Sequence, residues 1–176
     1  IIIFMKKSPE TIVAFQGTVY GGNYYVPIDE EMPEYRIKLI LEKLNPKLII
    51  CDNTTEEIAQ TFDFQGEIFL FEKIVKTQIN EKALEKIRSQ SIDTDPIYIV
   101  FTSGSTGIPK GVIANHRSVI DYIDNLTEIL EVDQDTIFGN QTPLYLDASL
   151  KEIYSTLKLG ATTYIIPKRL FSFPIK

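Results

Sequence analysis

The sequence predicts an α/β fold, with a mostly parallel sheet flanked by helices. Three observations predict it. Short apolar runs of strand length alternate with segments whose apolar residues recur at helical spacing. Turn formers close the helical segments, and the chain has neither an internal repeat nor a low-complexity linker. With 176 residues, 44% of them hydrophobic, the chain is long and apolar enough to bury a core, and its length suggests one domain.

Each element follows in order. Ile1 to Phe4 reads as a strand. Ser8-Pro9 starts a helix, with the serine as N-cap and the proline at the first helical position. Gly21-Gly22 stops it, and Tyr24 to Ile28 is the next strand. Pro33 opens a second helix, where Ile37, Ile40, Leu41 and Leu44 form a stripe, and Asn45-Pro46 ends it. Leu48 to Cys51 and Ile68 to Phe71 are strands, and residues 80 to 88 form a short helix. Ile97 to Phe101 is a buried strand, and Val112 to Ala114 returns as another. A helix from His116 to Leu130 turns Val119, Ile123, Leu126 and Leu130 inward. Thr136 to Asn140 is extended. Leu150, Ile153, Tyr154 and Leu157 mark a last helix, closed by Gly160, and Ala161 to Ile166 is the last strand.

Composition narrows the function. The net charge is −6 and no basic cluster exists, which argues against a nucleic-acid partner. No apolar stretch is long enough to span a bilayer, and the opening IIIFMKK is unlike a signal peptide. The single cysteine, Cys51, lies in an apolar run and reads as a core residue, which fits a cytoplasmic protein. The chain starts inside a strand and stops after an apolar, proline-containing segment, so it reads as a piece of a longer polypeptide.

The chemistry concentrates in YIVFTSGSTGIPKGV, residues 98 to 112. Glycines there let the backbone approach a ligand and take positive φ. Thr102, Ser103, Ser105 and Thr106 offer hydroxyls, and successive N–H groups in such a turn form an anion-binding nest. Lys110 adds a point charge. The loop is suited to phosphates, yet it is not a P-loop. Lys110 follows Pro109, and Gly111 stands where a P-loop has the hydroxyl residue that holds magnesium. A glycine-rich hairpin without a ligand is the alternative.

This stretch resembles, residue for residue, the nucleotide-binding loop of the adenylate-forming ligases, which include acyl-CoA synthetases, luciferases and amino-acid adenylation domains of nonribosomal peptide synthetases. The segment GGNYYVPIDEEMPEYR, residues 21 to 36, resembles the element that precedes that loop in adenylation domains. Its local physics is that of scaffold, with Asp29 beginning a turn.

The segment NQTPLYLDASLKEIYSTLKLG, residues 140 to 160, resembles the substrate-pocket element of amino-acid adenylation domains. The family's Phe-Asp-Ala-Ser-like tetrad stands here as Leu146-Asp147-Ala148-Ser149. The resemblance implies that Asp147 pairs with the substrate's α-ammonium group, and that Ala148 and Lys151 line the pocket. A carboxylate at a helix N-terminus stays ionised, and a desolvated ammonium needs such a partner. Ser149 with Glu152 fits a capping box, which leaves Asp147 free for a ligand. Asp, Ala and Lys at these positions resemble some glutamate-activating domains. Asn140, Gln141, Pro143 and Leu-Asp-x-Ser-Leu also resemble the D-alanine–carrier-protein ligases. Alternatively, Asp147 only caps its helix, and Lys151 only pairs with it at i,i+4. His116, the single histidine, reads as structural.

The resemblance implies a ligase that joins an amino acid to ATP and passes the acyl-adenylate to a phosphopantetheine thiol on a partner carrier protein. It places Thr102, Ser103, Gly104, Ser105, Thr106, Gly107 and Lys110 around the nucleotide's phosphates, with Thr102 as a partner for Mg2+. The chain then corresponds to part of the large N-terminal domain of such an enzyme. The Tyr-Gly-x-Thr-Glu and Thr-Gly-Asp elements and the C-terminal lid domain with its catalytic lysine have no counterpart in it. No catalytic residue is assigned within the segment, and residues 1–176 alone are expected to form no adenylate. An acyl-CoA synthetase fragment and a non-catalytic nucleotide- or partner-binding remnant are the competing readings.

Overall fold

The computed structural model describes the backbone of residues 1–102 and 107–172, and side chains as far as residue 170. The first half of the chain winds a parallel sheet. Strand β1 (Ile2–Phe4) leads into helix α1 (Pro9–Tyr20), strand β2 (Val26–Pro27), helix α2 (Glu34–Leu44), strand β3 (Leu48–Cys51), the single turn α3 (Glu56–Ala59) and strand β4 (Glu67–Leu70). The strand order is β2-β1-β3-β4, all parallel. Every crossover therefore carries a helix, as parallel pairing requires.

The alternation of side chains along β1 explains the layers. Ile2 and Phe4 point to one face with Val26, Ile49 and Cys51, and α2 covers them with Ile37, Ile40 and Leu41. Ile3 and Met5 point to the other with Tyr25 and Ile50, and α1 covers them with Ala14 and Phe15. A sheet sealed on both faces needs apolar residues at consecutive positions, and residues 2 to 5 are all buried.

The second half adds two smaller sheets. After α4 (Phe71–Ile74) and α5 (Glu81–Arg88), strand β5 (Pro96–Thr102) pairs antiparallel with β6 (Lys110–Asn115). Helix α6 (His116–Ile129) then leads to β7 (Ile137–Asn140). A 3₁₀ turn (Asp147–Ser149) runs into α7 (Leu150–Leu159), and β8 (Thr162–Ile165) pairs parallel with β7 before α8 (Lys168–Ser172). An isolated parallel bridge from Tyr25 to Tyr98 joins β5 to the edge of the first sheet. Leu144, Leu150 and Ile153 close the second face of that sheet from below the turn.

The ends of the helices follow the expected chemistry. Ser8 Oγ accepts from Thr11 N at 3.3 Å, with Pro9 at the first position. Gly22 (φ 72°), Asn45 (φ 42°) and Gly160 (φ 69°) adopt the left-handed conformation after their helices. Asn115 and Ser118 form a capping box at α6 that the sequence reading passed over.

Several expectations shift. Tyr24 to Ile28 pairs with β1 as a strand only at Val26 and Pro27, and Tyr25 makes the separate bridge to Tyr98. Phe71 begins α4 instead of ending β4. Leu130 is 54% exposed, not inward. On α6 the buried stripe ends at Thr127, whose hydroxyl donates back to Ile123 O at 2.8 Å and accepts from Lys158 Nζ at 2.8 Å. Among the described residues no helix is long and apolar enough to cross a membrane.

Asp52 holds the sheet's C-terminal edge together. One carboxylate oxygen accepts from Lys6 N at 3.0 Å, and the other from Thr54 N at 2.8 Å and Thr55 N at 3.0 Å. Burial opposes the charge, but the hydrogen bonds from Thr54, Lys6 and Thr55 outweigh it and hold the carboxyl below its ordinary value. Asp52→Ala is expected to lower stability by about 1–2 kcal/mol in denaturant unfolding at neutral pH. Because the folded pKa is depressed, that difference is present above the unfolded carboxyl value of about 3.9 and shrinks as pH falls below it.

Candidate functional site

The loop between β5 and β6 starts and ends on cross-strand partners. Thr102 pairs with Lys110, Phe101 with Gly111 and Ile99 with Ile113. Strands joined by so short a connection run antiparallel, so the loop projects from the C-terminal end of β5. Thr102 Oγ1 donates to Lys110 O at 3.4 Å across the base. Gly107 sits at φ 77°, the left-handed region that favours glycine. Gly111 is closely backed, since a Cβ there would lie 3.0 Å from Ile99 Cγ2 and that side chain would have to give by a few tenths of an ångström. Pro109 is fully buried, and its carbonyl accepts from Lys43 Nζ of α2 at 3.2 Å. Lys110 is exposed. Ser103, Gly104, Ser105 and Thr106 lie outside the described residues.

Asp147 heads the 3₁₀ turn, and its carbonyl accepts from Leu150 N. Asp147 and Ala148 are exposed, while Ser149 and Leu150 are buried. The turn thus presents its first two residues outward and anchors its last. The expected Ser149–Glu152 capping box does not form. Ser149 is itself in a helical conformation (φ −71°, ψ −19°), so its side chain cannot reach the N–H groups ahead. Its hydroxyl instead donates back to Leu146 O at 2.7 Å. Asp147 makes no such cap either, so its carboxylate stands at the positive end of the turn. Lys151 does not pair with Asp147. Its ammonium lies 3.7 Å from Glu152 Oε1.

One cleft of about 600 Å³ runs from Thr102 at the base of the loop to Leu146 ahead of the turn, and neither Lys110 nor Asp147, Ala148 or Lys151 is among the residues that line it. Phe101 and Thr102 line it from β5, and Tyr145 and Leu146 from the segment just ahead of Asp147. Asp29 and Lys168 form part of its wall, with Lys168 Nζ 2.8 Å from Asp29 Oδ1 and 2.6 Å from Glu31 Oε2. Burial would lower the Lys168 pKa, but these carboxylates outweigh it and raise it. Asp29 also begins the turn expected of it, accepting from Glu31 N at 2.9 Å. Sequence reasoning gave Lys168 no place here, because the pair spans 139 positions and leaves no local signal. Behind the turn, burial and then the charge of Asp147 push the Tyr98 hydroxyl up to about 12. Tyr98 therefore stays protonated, with the negative field of Asp147 close by.

His116 lies elsewhere. It caps the far end of β5 with its backbone N–H on Asp95 O at 3.1 Å, and it lines a separate cleft of about 540 Å³ with Pro96 and Arg88. Cys51 is buried, and its thiol is raised to about 11 chiefly by burial. Among the described residues no group of three or more His, Cys, Asp or Glu is gathered to hold a metal ion. Thr102 would supply one oxygen to a magnesium ion, with phosphate and water completing the shell, as suits that ion.

Comparison with known proteins follows the same outline. A family model described as AMP-binding enzyme matches residues 1–175, and the chain belongs to that family. The D-alanine–D-alanyl carrier protein ligase of Staphylococcus aureus (strain Newman) is 35% identical over 173 residues. The match covers 98% of this chain and 34% of that protein, so the chain spans about a third of the length of the curated relatives it matches. Among solved structures, the nonribosomal peptide synthetase FmoA3 in its α-methyl-L-serine-AMP bound form superposes with a TM-score of 0.78 at 21% identity, over 95% of this chain and 18% of that one. A four-domain nonribosomal peptide synthetase bound to AMP and glycine gives 0.78 at 24% identity, over 96% and 12%. VinN with 3-methylaspartate gives 0.74 at 17% identity, over 92% and 46%. At these identities the structures establish the fold.

Gly107 offers a test of the loop's backbone. A Cβ there meets nothing within 4 Å among the described residues, so the penalty of Gly107→Ala is read from its positive φ. The substitution is expected to destabilise the chain by about 1–2 kcal/mol, read as a lowered melting temperature.

Proposed function

We propose that this member of the AMP-binding enzyme family forms part of the ATP- and amino-acid-binding N-terminal domain of an amino-acid-activating ligase. In the reaction, a carboxylate oxygen of the amino acid attacks the α-phosphorus of ATP. The bond to the leaving pyrophosphate breaks, and an aminoacyl-adenylate forms. The thiol of a carrier protein's phosphopantetheine then attacks the acyl carbon and releases AMP.

The observation that carries this reading is the shared cleft. Thr102, at the base of the glycine- and hydroxyl-rich loop, and Leu146, one residue before the exposed carboxylate of Asp147, line the same space. A triphosphate and an ammonium need opposite electrostatics a short distance apart, and the two elements supply them. The loop hydroxyls and N–H groups of residues 103 to 106, with Lys110, would take the β- and γ-phosphates. Thr102 would give one ligand to Mg2+. Asp147 would hold the α-ammonium.

For the side chain, a small neutral amino acid fits better than glutamate. The ammonium of Lys151 lies 3.7 Å from Glu152 Oε1 and is not paired with Asp147. Ala148 leaves space without charge. The 35%-identical relative carries D-alanine in its name, which points the same way. D-alanine is therefore the first substrate to try.

The test is amino-acid-dependent ATP–pyrophosphate exchange by the full-length polypeptide, with D-alanine, glutamate and a fatty acid in the panel. Exchange with D-alanine is expected. Asp147→Asn is expected to lower kcat/KM for the amino acid on the order of 100-fold while leaving the KM for ATP nearly unchanged, since a desolvated charge pair is lost. Exchange driven only by the fatty acid would replace the substrate class. A folded protein with no exchange at all would replace the ligase reading with that of a binding remnant.

A further inference from the structure

Asn140 is fully buried, yet it is polar, and it lies outside every role assigned above. It ends β7, opposite Ile165 of β8. Its carbonyl accepts from Ile166 N at 3.0 Å and from Lys7 Nζ at 2.8 Å, and the same lysine donates to Gln141 O at 3.0 Å. Burial lowers the pKa of Lys7, which the negative charge of Glu152 partly opposes. The side chain faces the other way. Its Nδ2 donates to Ser149 O at 3.1 Å and to Glu152 Oε2 at 3.2 Å. Its Oδ1 is buried and has no partner among the described residues.

This arrangement is costly for a core position. A buried amide with an unsatisfied oxygen is worse than an apolar side chain of similar size unless its donor is required. What the donor reaches is the buried end of the 3₁₀ turn. Ser149 is the last residue of that turn and Asp147 the first. The turn is held from behind at Ser149 and faces outward at Asp147 and Ala148.

We propose that Asn140, clamped by Lys7 and Glu152, is a positioning residue that sets the direction of the Asp147 carboxylate toward the substrate's ammonium group. This rests on the reading of Asp147 given above. A turn of three residues has little internal rigidity, and a carboxylate must be held within a fraction of an ångström to select one ammonium geometry. The amide of Asn140 supplies that rigidity through the carbonyl of Ser149. Lys7, from the loop between β1 and α1, fixes the amide's own backbone to the main sheet.

The experiment measures both KM values by pyrophosphate exchange on the full chain. Asn140→Asp keeps the shape but sets a carboxylate against Ser149 O and the Glu152 carboxylate. It is expected to raise the KM for the amino acid about tenfold, with the KM for ATP within about twofold. Adding Glu152→Gln removes the charge repulsion but restores no donor to Ser149 O, so it is expected to recover the melting temperature while the KM for the amino acid stays raised. If both KM values and the melting temperature move together, or if the double variant returns the amino-acid KM along with the melting temperature, Asn140 serves the fold and not the site. If Asn140→Asp does not fold, the milder Asn140→Ser carries the same comparison. Asp147→Asn separates the two readings. If it leaves the amino-acid KM unchanged, the ammonium reading fails first. If it raises that KM while the Asn140 variants do not, only the positioning proposal fails.

Discussion

Tyr25 is the joint on which the architecture depends. Its backbone N–H donates to Ile97 O at 3.2 Å and its carbonyl accepts from Ile99 N at 3.0 Å, which hangs the β5–β6 hairpin on the edge of the parallel sheet. Its ring stacks on Phe15 of α1 with centroids 4.2 Å apart, and its hydroxyl meets that of Tyr154 on α7 at 3.1 Å. One fully buried residue thus touches the main sheet, the loop-bearing hairpin and two helices, α1 and α7. Such a ring contact adds about 0.5–1.5 kcal/mol beyond the area it buries. More important is what it fixes. The height of β5 against the sheet sets where Thr102 emerges, and the position of α7 sets where Asp147 stands.

The polar tethers extend the same frame to the cleft. Lys43 holds the carbonyl of Pro109, Lys168 at the start of α8 joins Asp29, and Lys7 joins the first sheet to the end of β7. Each runs between elements far apart in sequence, and the Lys168–Asp29 pair forms part of the cleft's wall. Exposed ion pairs contribute little to stability, so these tethers are better understood as geometric constraints. Asp29 is the exception, because its side chain is only 12% exposed and takes two contacts from Lys168.

How much of this was legible in the sequence depends on the range of the interaction. Ser8-Pro9, Asn45 and Gly160 act on their own helices, and each stands where local chemistry puts it. The strand from Ile97 to Phe101 declared itself by an unbroken apolar run. The loop at 102 to 110 suggests phosphate chemistry in sequence alone, because backbone freedom, hydroxyls and a lysine must be adjacent to act together, and the structure describes only its two ends. Local patterns misled where a longer contact competed. Ser149 and Glu152 have the spacing of a capping box, but Leu146 O and Asn140 claim their side chains. Lys151 has the spacing to pair with Asp147, but its next neighbour is closer. The contacts of Asn140 with Ser149 O and Glu152 left no sign in the sequence, since nothing local requires an amide at the end of a strand.

These misreadings bear on the choice of substrate. A lysine one turn from Asp147 suggests a pocket for a second carboxylate only while that lysine is free. Glu152 is not free to release it at will, because its other oxygen accepts from the buried amide of Asn140. Turning Glu152 away would leave that amide with one acceptor fewer in a site already short of a partner at Oδ1. Lys151 is thereby linked through Glu152 to Asn140, and through Asn140 to the carbonyl of Ser149. On the proposed reading of Asp147, a lysine drawn toward Glu152 makes a small, uncharged amino-acid side chain the better fit than a second carboxylate.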